Sequence, residues 1–140
     1  MIRGVGIDLV EISRVERLIE KWGDRFLQKV FTDRERSYCE KNRCAASSFA
    51  ARFAAKEALL KMLGTGLRQG IKWHDVEVYN NQLGKPEVTL KGRAHKIAAQ
   101  KQIETIHISL SHEKKYAVAQ VIGEGGTENG CSNTRTDAQT

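Results

Sequence analysis

The chain has 140 residues, of which 40% are hydrophobic, and this is the size of one domain with enough apolar side chains for a core. The composition excludes a disordered chain. Three cysteines without a Cys-x-x-Cys spacing argue against structural zinc and against a disulfide framework. No apolar stretch is as long as a membrane span, and the N-terminus lacks the layout of a signal peptide, so we expect a cytoplasmic protein.

The balance of charge favours an anionic partner. Lys and Arg total 23 against 17 Asp and Glu, which gives a net charge of +6. Residues 124–140 hold one Arg and three acids, so the rest of the chain carries +8. Such a basic protein suits a nucleic acid, a phosphorylated small molecule or an acidic protein. Because only 6% of the residues are aromatic and no nucleic-acid-binding motif is present, we do not expect a nucleic acid.

The N-terminal part predicts a strand followed by an amphipathic helix. Residues 2–12 are rich in β-branched side chains, which predicts a strand with Val5, Ile7 and Leu9 on one face. Ser13, with Glu16 three positions later, predicts a capping box at the start of the helix. The apolar side of this helix consists of Val15, Leu18, Ile19, Trp22 and Phe26. Another side, here called the basic stripe, consists of Arg14, Arg17, Lys21 and Arg25.

Two more helices are predicted in the middle of the chain. Thr32, with Glu35 at the capping-box position, predicts a short helix that ends near residue 42. From about residue 44 to 63 the chain is rich in alanine and lacks Gly and Pro, which predicts a long helix. The Gly64-Thr-Gly66 segment follows as its C-cap.

The C-terminal half predicts one helix, at about residues 92–102, among antiparallel strands. Alternating apolar residues and turn signals pair the strands as 73–80 with 86–90 and 105–112 with 116–122.

The predicted fold class is α+β, with a small, mainly antiparallel sheet packed on the long central helix. Residues 1–123 form a single domain in this prediction. Residues 124–140 are rich in Gly, Thr and Asn and have little to bury, so they are predicted to form a flexible tail.

Asp8 stands inside an apolar strand, where an unpaired carboxylate is costly to bury. One interpretation is that this side chain caps a turn or pairs with a buried arginine. The other is that it binds a metal, because a hard cation compensates the charge that makes burial unfavourable. The strand pattern alone favours neither interpretation.

Glu57 lies on the flank of the apolar face of the long helix, with Lys61 one turn later on the same side. Taken alone, the two are more simply interpreted as a surface ion pair, worth only about 0.2–0.5 kcal/mol. Arg52, Lys56 and Lys61, followed by the Gly64 turn, suit a phosphate cradle or an ordinary solvated face equally well.

His112 ends a predicted strand beside Ser109 and Ser111. A Ser–His hydrolase site is one interpretation, although no acid stands in an obvious triad order. A pair that donates hydrogen bonds to a phosphate fits equally well.

Several of these segments together resemble the 4′-phosphopantetheinyl transferases. Gly6-Ile-Asp8, followed by Arg14, and Phe53-Ala-Ala-Lys-Glu-Ala-Leu-Leu-Lys61 resemble the two signature motifs of that family. The Gly-Thr-Gly-Leu-Arg-Gln-Gly segment at 64–70 is similar to the bacterial holo-[acyl-carrier-protein] synthase branch. The other segments similar to that branch are Leu83-Gly-Lys-Pro86 and Leu110-Ser-His112, and the resemblance covers about residues 1–123.

The resemblance implies that 4′-phosphopantetheine is transferred from coenzyme A to a serine of apo-acyl carrier protein, in fatty acid biosynthesis, with release of adenosine 3′,5′-bisphosphate. It implies that Asp8 and Glu57 bind one magnesium, or a manganese in its place. Lys61 would contact the diphosphate and stabilise the transition state. The base that deprotonates the serine is either Glu57 or a metal-bound water.

The resemblance also implies the substrate-binding surfaces. The residues implied for coenzyme A are Arg52, Lys61, Gly64, Gly66, Lys85, Pro86, Ser111 and His112. A homotrimer with active sites shared between neighbouring subunits is implied, so that these contacts come from two chains. Because carrier proteins are acidic around the modified serine, the basic stripe is their expected docking surface.

Two other functions fit parts of the sequence. A basic RNA-binding module explains the charge, and its binding to RNA would depend on salt. It gives no reason for Asp8 inside an apolar strand or for Glu57 on the helix flank. A metal-free coenzyme A-binding protein without activity would keep Arg52, Lys61 and His112 but would tolerate the loss of Asp8.

Overall fold

The structure, a computed structural model, describes residues 1–126. Its elements in chain order are β1 (Ile2–Glu11), α1 (Ile12–Trp22), α2 (Asp24–Val30), α3 (Asp33–Lys41), α4 (Ala45–Leu63), a 3₁₀ turn (Trp73–Asp75), β2 (Val76–Asn80), β3 (Pro86–Leu90), α5 (Gly92–Gln100), β4 (Thr105–His112) and β5 (Tyr116–Glu124). One antiparallel sheet has the strand order β1-β5-β4, and β2 and β3 form a separate antiparallel hairpin. The predicted α+β class with an antiparallel sheet is confirmed.

Helix α4 is the centre of the core. Most of its side chains are buried, and it packs against β1, β5, α1 and α3. Its alanines are small enough to let these elements approach closely from several sides. The helix ends where predicted, because Gly64 adopts the left-handed conformation (φ 77°) and its N–H binds the carbonyls of Leu60 and Lys61.

Strand β1 lies directly on α4, and glycine makes this approach possible. A Cβ atom at Gly6 would lie 1.8 Å from the carbonyl oxygen of Ala58, and one at Gly4 would lie 2.7 Å from that of Met62. The glycines share one face of the strand with Asp8 and Val10, because alternate residues of a strand point to the same side. The contact therefore brings Asp8 to the surface of α4.

Three apolar residues of β1 point away from the core, whereas Val10 is buried in it. Val5, Ile7 and Leu9 share one face, as predicted, but they are 55%, 58% and 63% exposed in this chain. Their neighbours across the sheet include Ile122, opposite Val5, and Val118, opposite Leu9. The outer sheet face, defined by these five residues, is an exposed apolar patch.

The start of α1 differs from the prediction. The helix begins at Ile12, with Glu11 as its N-cap, so the predicted capping box of Ser13 and Glu16 is wrong. The Ser13 hydroxyl instead donates to the Glu11 carboxylate at 2.6 Å. Because the strand runs without a loop into the helix, Ser13 already lies inside the first turn.

The predicted first helix is also divided in two. Gly23 has a positive φ of 54° and ends α1, so Phe26 belongs to α2. The second capping box is confirmed, because the Glu35 N–H donates to the Thr32 hydroxyl and the Thr32 N–H donates to the Glu35 carboxylate. The predicted strand 73–80 begins with a 3₁₀ turn and becomes a strand at Val76.

Strand β5 extends past residue 123. The N–H of Gly125 donates to the Met1 carbonyl at 2.9 Å, and that of Gly126 donates to the Glu104 carboxylate at 2.6 Å. Residues 127–140, which make up the rest of the predicted tail, lie outside the described residues. Within residues 1–126, no helix is both long enough and apolar enough to cross a membrane.

We predict that Gly6→Ala destabilises the fold by about 3 kcal/mol or more, because its methyl group would collide with the backbone of α4. Chemical denaturation measures this change. Gly66→Ala is the control, since open space surrounds that position and only its positive φ of 59° costs about 1 kcal/mol. Equal stabilities of the two variants would contradict the close packing of β1 on α4.

Candidate active site

A cleft of about 460 Å³ lies beside the C-terminal half of α4. Four predicted site residues line it: Glu57, Lys61, Gly64 and Gly66. The apolar walls are formed by Leu60, Leu67 and Trp73. The lining of the cleft is therefore partly charged and partly apolar.

Lys61 joins this cleft to β1. Its ammonium donates to the Asp8 carboxylate and to the Ile7 carbonyl, at 3.0 Å each. The side chain of Asp8 is only 12% exposed, whereas that of Lys61 is 56% exposed. Lys61 therefore pairs with Asp8 and not with Glu57, and the interpretation of Glu57 and Lys61 as a surface ion pair is wrong.

Glu57 is half-buried and electrostatically coupled to Asp8. Burial raises the pKa of Glu57, and the negative charge of Asp8 raises it further, while the charges of Arg14 and Lys61 oppose the shift. A cation bound by both carboxylates would compensate the repulsion between them. Within residues 1–126, no group of three or more His, Cys, Asp or Glu side chains could hold a metal, so a cation here would have few protein ligands.

A second cavity, of about 420 Å³, contains three other predicted residues, Arg52, Pro86 and His112. Arg52 is only 4% exposed. Its guanidinium lies 4.0 Å from the centroid of the Tyr38 ring and donates to the Asn80 side chain, while its Nε is buried without a hydrogen-bond partner. No Asp or Glu of the described residues forms an ion pair with it. A buried cation in this state is suited to binding an anion.

Lys85 and Ser111, which were also predicted for coenzyme A, do not line either cavity. Lys85 is exposed in the turn between β2 and β3, and Ser111 is exposed on β4. Lys56 is fully buried and forms an ion pair with Glu35 at 2.8 Å, so it cannot contribute to a phosphate cradle with Arg52 and Lys61.

Several residues that form the cavity walls were not predicted from the sequence. Trp73 and Leu67 come from the segment after α4, and no periodic pattern marked them as site residues. Tyr38 and Asn80 are brought to Arg52 from α3 and from the end of β2, 14 and 28 positions away in the sequence. Only the tertiary packing reveals such neighbours.

The basic stripe borders an apolar groove of about 340 Å³ on α1 and α2. The groove contains Leu18, Trp22 and Phe26, and Trp22 is 45% exposed. The Lys21 ammonium and the Arg25 guanidinium lie 5.2 and 5.8 Å from the centroid of the Trp22 ring. The other two members of the stripe have different contacts. Arg17 donates to the Ser13 hydroxyl, whereas Arg14 lies over the ring of Phe53 and its charge lowers the pKa of Glu57.

Comparisons with known proteins agree with this arrangement. Residues 4–121 match the model of the 4′-phosphopantetheinyl transferase superfamily. The chain is similar to the holo-[acyl-carrier-protein] synthase of Halothermothrix orenii, with 48% identity over 90% of this chain and 100% of that protein. Its identity to the synthase of Trichlorobacter lovleyi is 50%, over 89% of this chain and 98% of that one.

Solved structures are similar over the same length. The holo-[acyl-carrier-protein] synthase of Neisseria meningitidis matches with a TM-score of 0.81 and 34% identity, over 89% of this chain and 99% of that one. The synthase of Bacillus anthracis, crystallised in complex with CoA (3′,5′-ADP), matches with a TM-score of 0.73 and 35% identity, over 90% and 99% of the two chains.

We predict that Asp8→Asn lowers the pKa of Glu57, because the substitution removes a like charge, while the burial that is the largest cause of the raised pKa persists. A carboxyl group with a raised folded-state pKa contributes stability below its unfolded pKa and loses it as the pH rises through the folded value. In Asp8→Asn, the stability that Glu57 contributes should therefore be lost at a lower pH than in the wild-type chain. Carboxyl NMR titration measures the pKa, and an unchanged value would contradict the coupling.

Proposed function

The chain belongs to the 4′-phosphopantetheinyl transferase superfamily, and we propose that it is a holo-[acyl-carrier-protein] synthase. The reaction is the transfer of 4′-phosphopantetheine from coenzyme A to a serine of apo-acyl carrier protein, with release of adenosine 3′,5′-bisphosphate. The observation that carries the proposal is the cluster of Asp8, Glu57 and Lys61 at one cleft, where two signature segments far apart in sequence meet.

Asp8 and Glu57 fit a magnesium ion. Their carboxylates lie close enough for each charge to act on the other, and a cation would compensate that repulsion. Magnesium is commonly bound by one or two carboxylates, with water and substrate phosphates at its other positions. When bound, the ion supplies positive charge to the diphosphate of coenzyme A.

Lys61 supplies a further positive charge. Two of the three N–H groups of its ammonium are used by Asp8 and by the Ile7 carbonyl. The third can bind a diphosphate oxygen in the cleft and stabilise the charge on the leaving phosphate. Asp8 thus has a second role, because its ion pair with Lys61 orients the ammonium.

The chemical step is an attack by the serine oxygen on the β-phosphate of coenzyme A. The new bond joins this oxygen to phosphorus, and the bond to the phosphate of adenosine 3′,5′-bisphosphate breaks. Glu57 and water are the two candidates for the base that takes the serine proton. In the absence of the cation, burial and Asp8 raise the pKa of Glu57 above its ordinary value, which makes its carboxylate a stronger base than that of an ordinary glutamate.

We also propose a homotrimer in which the coenzyme A site lies between subunits. The cleft with Glu57 and Lys61 and the cavity with Arg52 and His112 are separate spaces within one chain. A neighbouring copy could bring its Arg52 cavity to the cleft, so that one coenzyme A molecule spans both. The exposed outer sheet face supports this assembly, because its apolar residues would be buried against another copy.

The basic stripe and its groove suit an acidic carrier protein. Lys21 and Arg25 provide charge beside the exposed ring of Trp22, while Leu18 and Phe26 provide apolar surface. Complementary charge increases the rate of association, and a buried aromatic anchor contributes affinity. Arg14 lies at the end of the stripe that is closest to Glu57, which would place the bound serine near the cleft.

Intact-mass spectrometry of an apo-acyl carrier protein tests the reaction. With the chain, coenzyme A and magnesium, the carrier should gain one phosphopantetheine group. Asp8→Asn should reduce the rate by about 100-fold or more, since it removes a metal ligand and the partner of Lys61. Asp33→Asn, an exposed acid on α3, is the matched control. The absence of any transfer by the wild-type chain would contradict the proposed reaction, and full activity of Asp8→Asn would contradict the metal site.

The docking surface has its own test. We expect Arg25→Glu to raise the KM for the carrier protein by about tenfold and to leave the Kd for coenzyme A unchanged. Arg25 is preferable to Arg14 for this purpose, because Arg14 also acts on Glu57. Lys96→Glu, on the exposed side of α5, makes the same change of charge and should have no effect. An unchanged kcat/KM of Arg25→Glu at low salt would exclude the stripe as the docking surface.

A further inference from the structure

A buried ion pair lies behind the candidate site, and the inference from it rests on the proposed function. The ammonium of Lys56 binds the Glu35 carboxylate at 2.8 Å, and both side chains are fully buried. The same ammonium donates to the carbonyls of Trp73, at 3.1 Å, and Val76, at 2.6 Å. All three N–H groups of the lysine therefore have a partner in this structure.

A buried ion pair contributes little net stability to a core. Removing two charges from water costs several kcal/mol per ion, and apolar residues of similar volume often stabilise a protein as well or better. The desolvation is visible at Lys56, whose pKa is lowered by burial in spite of the opposing charge and hydrogen bond of Glu35. The pair is better explained by the geometry that it imposes on its surroundings.

The lysine end of the pair holds one wall of the cleft. Its two carbonyl partners stand at either end of the 3₁₀ turn that contains Trp73. The Trp73 ring packs 5.5 Å from that of Phe53 and lines the same cleft as Glu57 and Lys61. Because Glu57 follows Lys56 directly on α4, the ammonium connects the segment that carries Trp73 to the turn of the helix that carries Glu57.

The glutamate end holds the wall of the Arg52 cavity. The Glu35 carboxylate accepts the N–H of Val78 at 2.7 Å and thereby joins α3 to β2. Tyr38 lies one turn after Glu35 on α3, and Asn80 lies two residues after Val78 on β2. These two residues are the ones that hold the guanidinium of Arg52.

We propose that the Lys56–Glu35 pair is a positioning element that holds the walls of both halves of the coenzyme A site in register with α4. Neither residue touches the substrate. The pair acts through Trp73 on the cleft and through Tyr38 and Asn80 on the buried guanidinium. A loss of the pair therefore weakens the binding of coenzyme A at both ends, while Asp8 and Lys61 keep their own contact.

The test uses the double variant Lys56→Met/Glu35→Met in the full chain, because Lys56→Met alone leaves an uncompensated buried charge and could fail to fold. We expect a folded protein whose KM and Kd for coenzyme A rise by about tenfold, which corresponds to about 1.4 kcal/mol of lost binding free energy. The kcat should fall by much less. Hydrogen exchange should accelerate in residues 64–75 and 76–80 and remain unchanged in β4 and β5.

Two controls separate positioning from stability. Ile97→Val removes a methylene from the core on α5, and Lys96→Met removes an exposed ammonium from the same helix. Neither should alter the KM or the exchange of residues 64–80. A folded double variant with unchanged KM, Kd and exchange would overturn the proposal. A wild-type chain that binds coenzyme A without transferring it would contradict the proposed function instead. In that case the Kd for coenzyme A and the hydrogen exchange of the double variant would still test the positioning role of the pair.

Discussion

The structure depends on the close approach of β1 to α4. Because Gly6 has no side chain, the strand lies against the Ala58 carbonyl, and Asp8 reaches the turn of the helix that carries Glu57 and Lys61. The three charged groups then share one small space in which their charges are coupled. The same contact sends the large apolar side chains of β1 to the opposite face. A single packing constraint thus forms the candidate active site and exposes the outer sheet face.

Helix α4 carries both halves of the proposed coenzyme A site, but it presents them in different directions. Arg52 and Glu57 are five residues apart, which places them about 140° apart around the helix axis. This geometry agrees with their separate cavities. Because Arg52 and Glu57 point in different directions, the proposed site needs a second copy of the chain to bring the two halves together. The exposed outer sheet face offers an apolar surface for that contact. The Lys56–Glu35 pair contacts Trp73 of the cleft wall and Val78 of β2, the strand that carries Asn80 to the Arg52 cavity.

The sequence predicted the elements well wherever a local signal decides, as in the capping box at Thr32 and in the C-cap at Gly64. The predicted capping box at Ser13 is wrong, because β1 runs directly into α1 and the helix already begins at Ile12. The signature motifs predicted roles for Asp8, Glu57 and Lys61, which the structure brings together at one cleft. They could not show that Lys56 is buried, since its partner Glu35 comes from another helix and an i,i+4 pattern describes only one helix face.

In the proposed trimer, each site combines the Lys61 cleft of one subunit with the Arg52 cavity of another, which no single chain can do. Mixing inactive Arg52→Ala and Lys61→Ala chains during refolding tests it directly. Random trimers should regain about one quarter of the wild-type transfer rate, because one interface in four joins two intact halves. A mixture no more active than the separate variants would show that both halves act within one chain and would contradict the shared site.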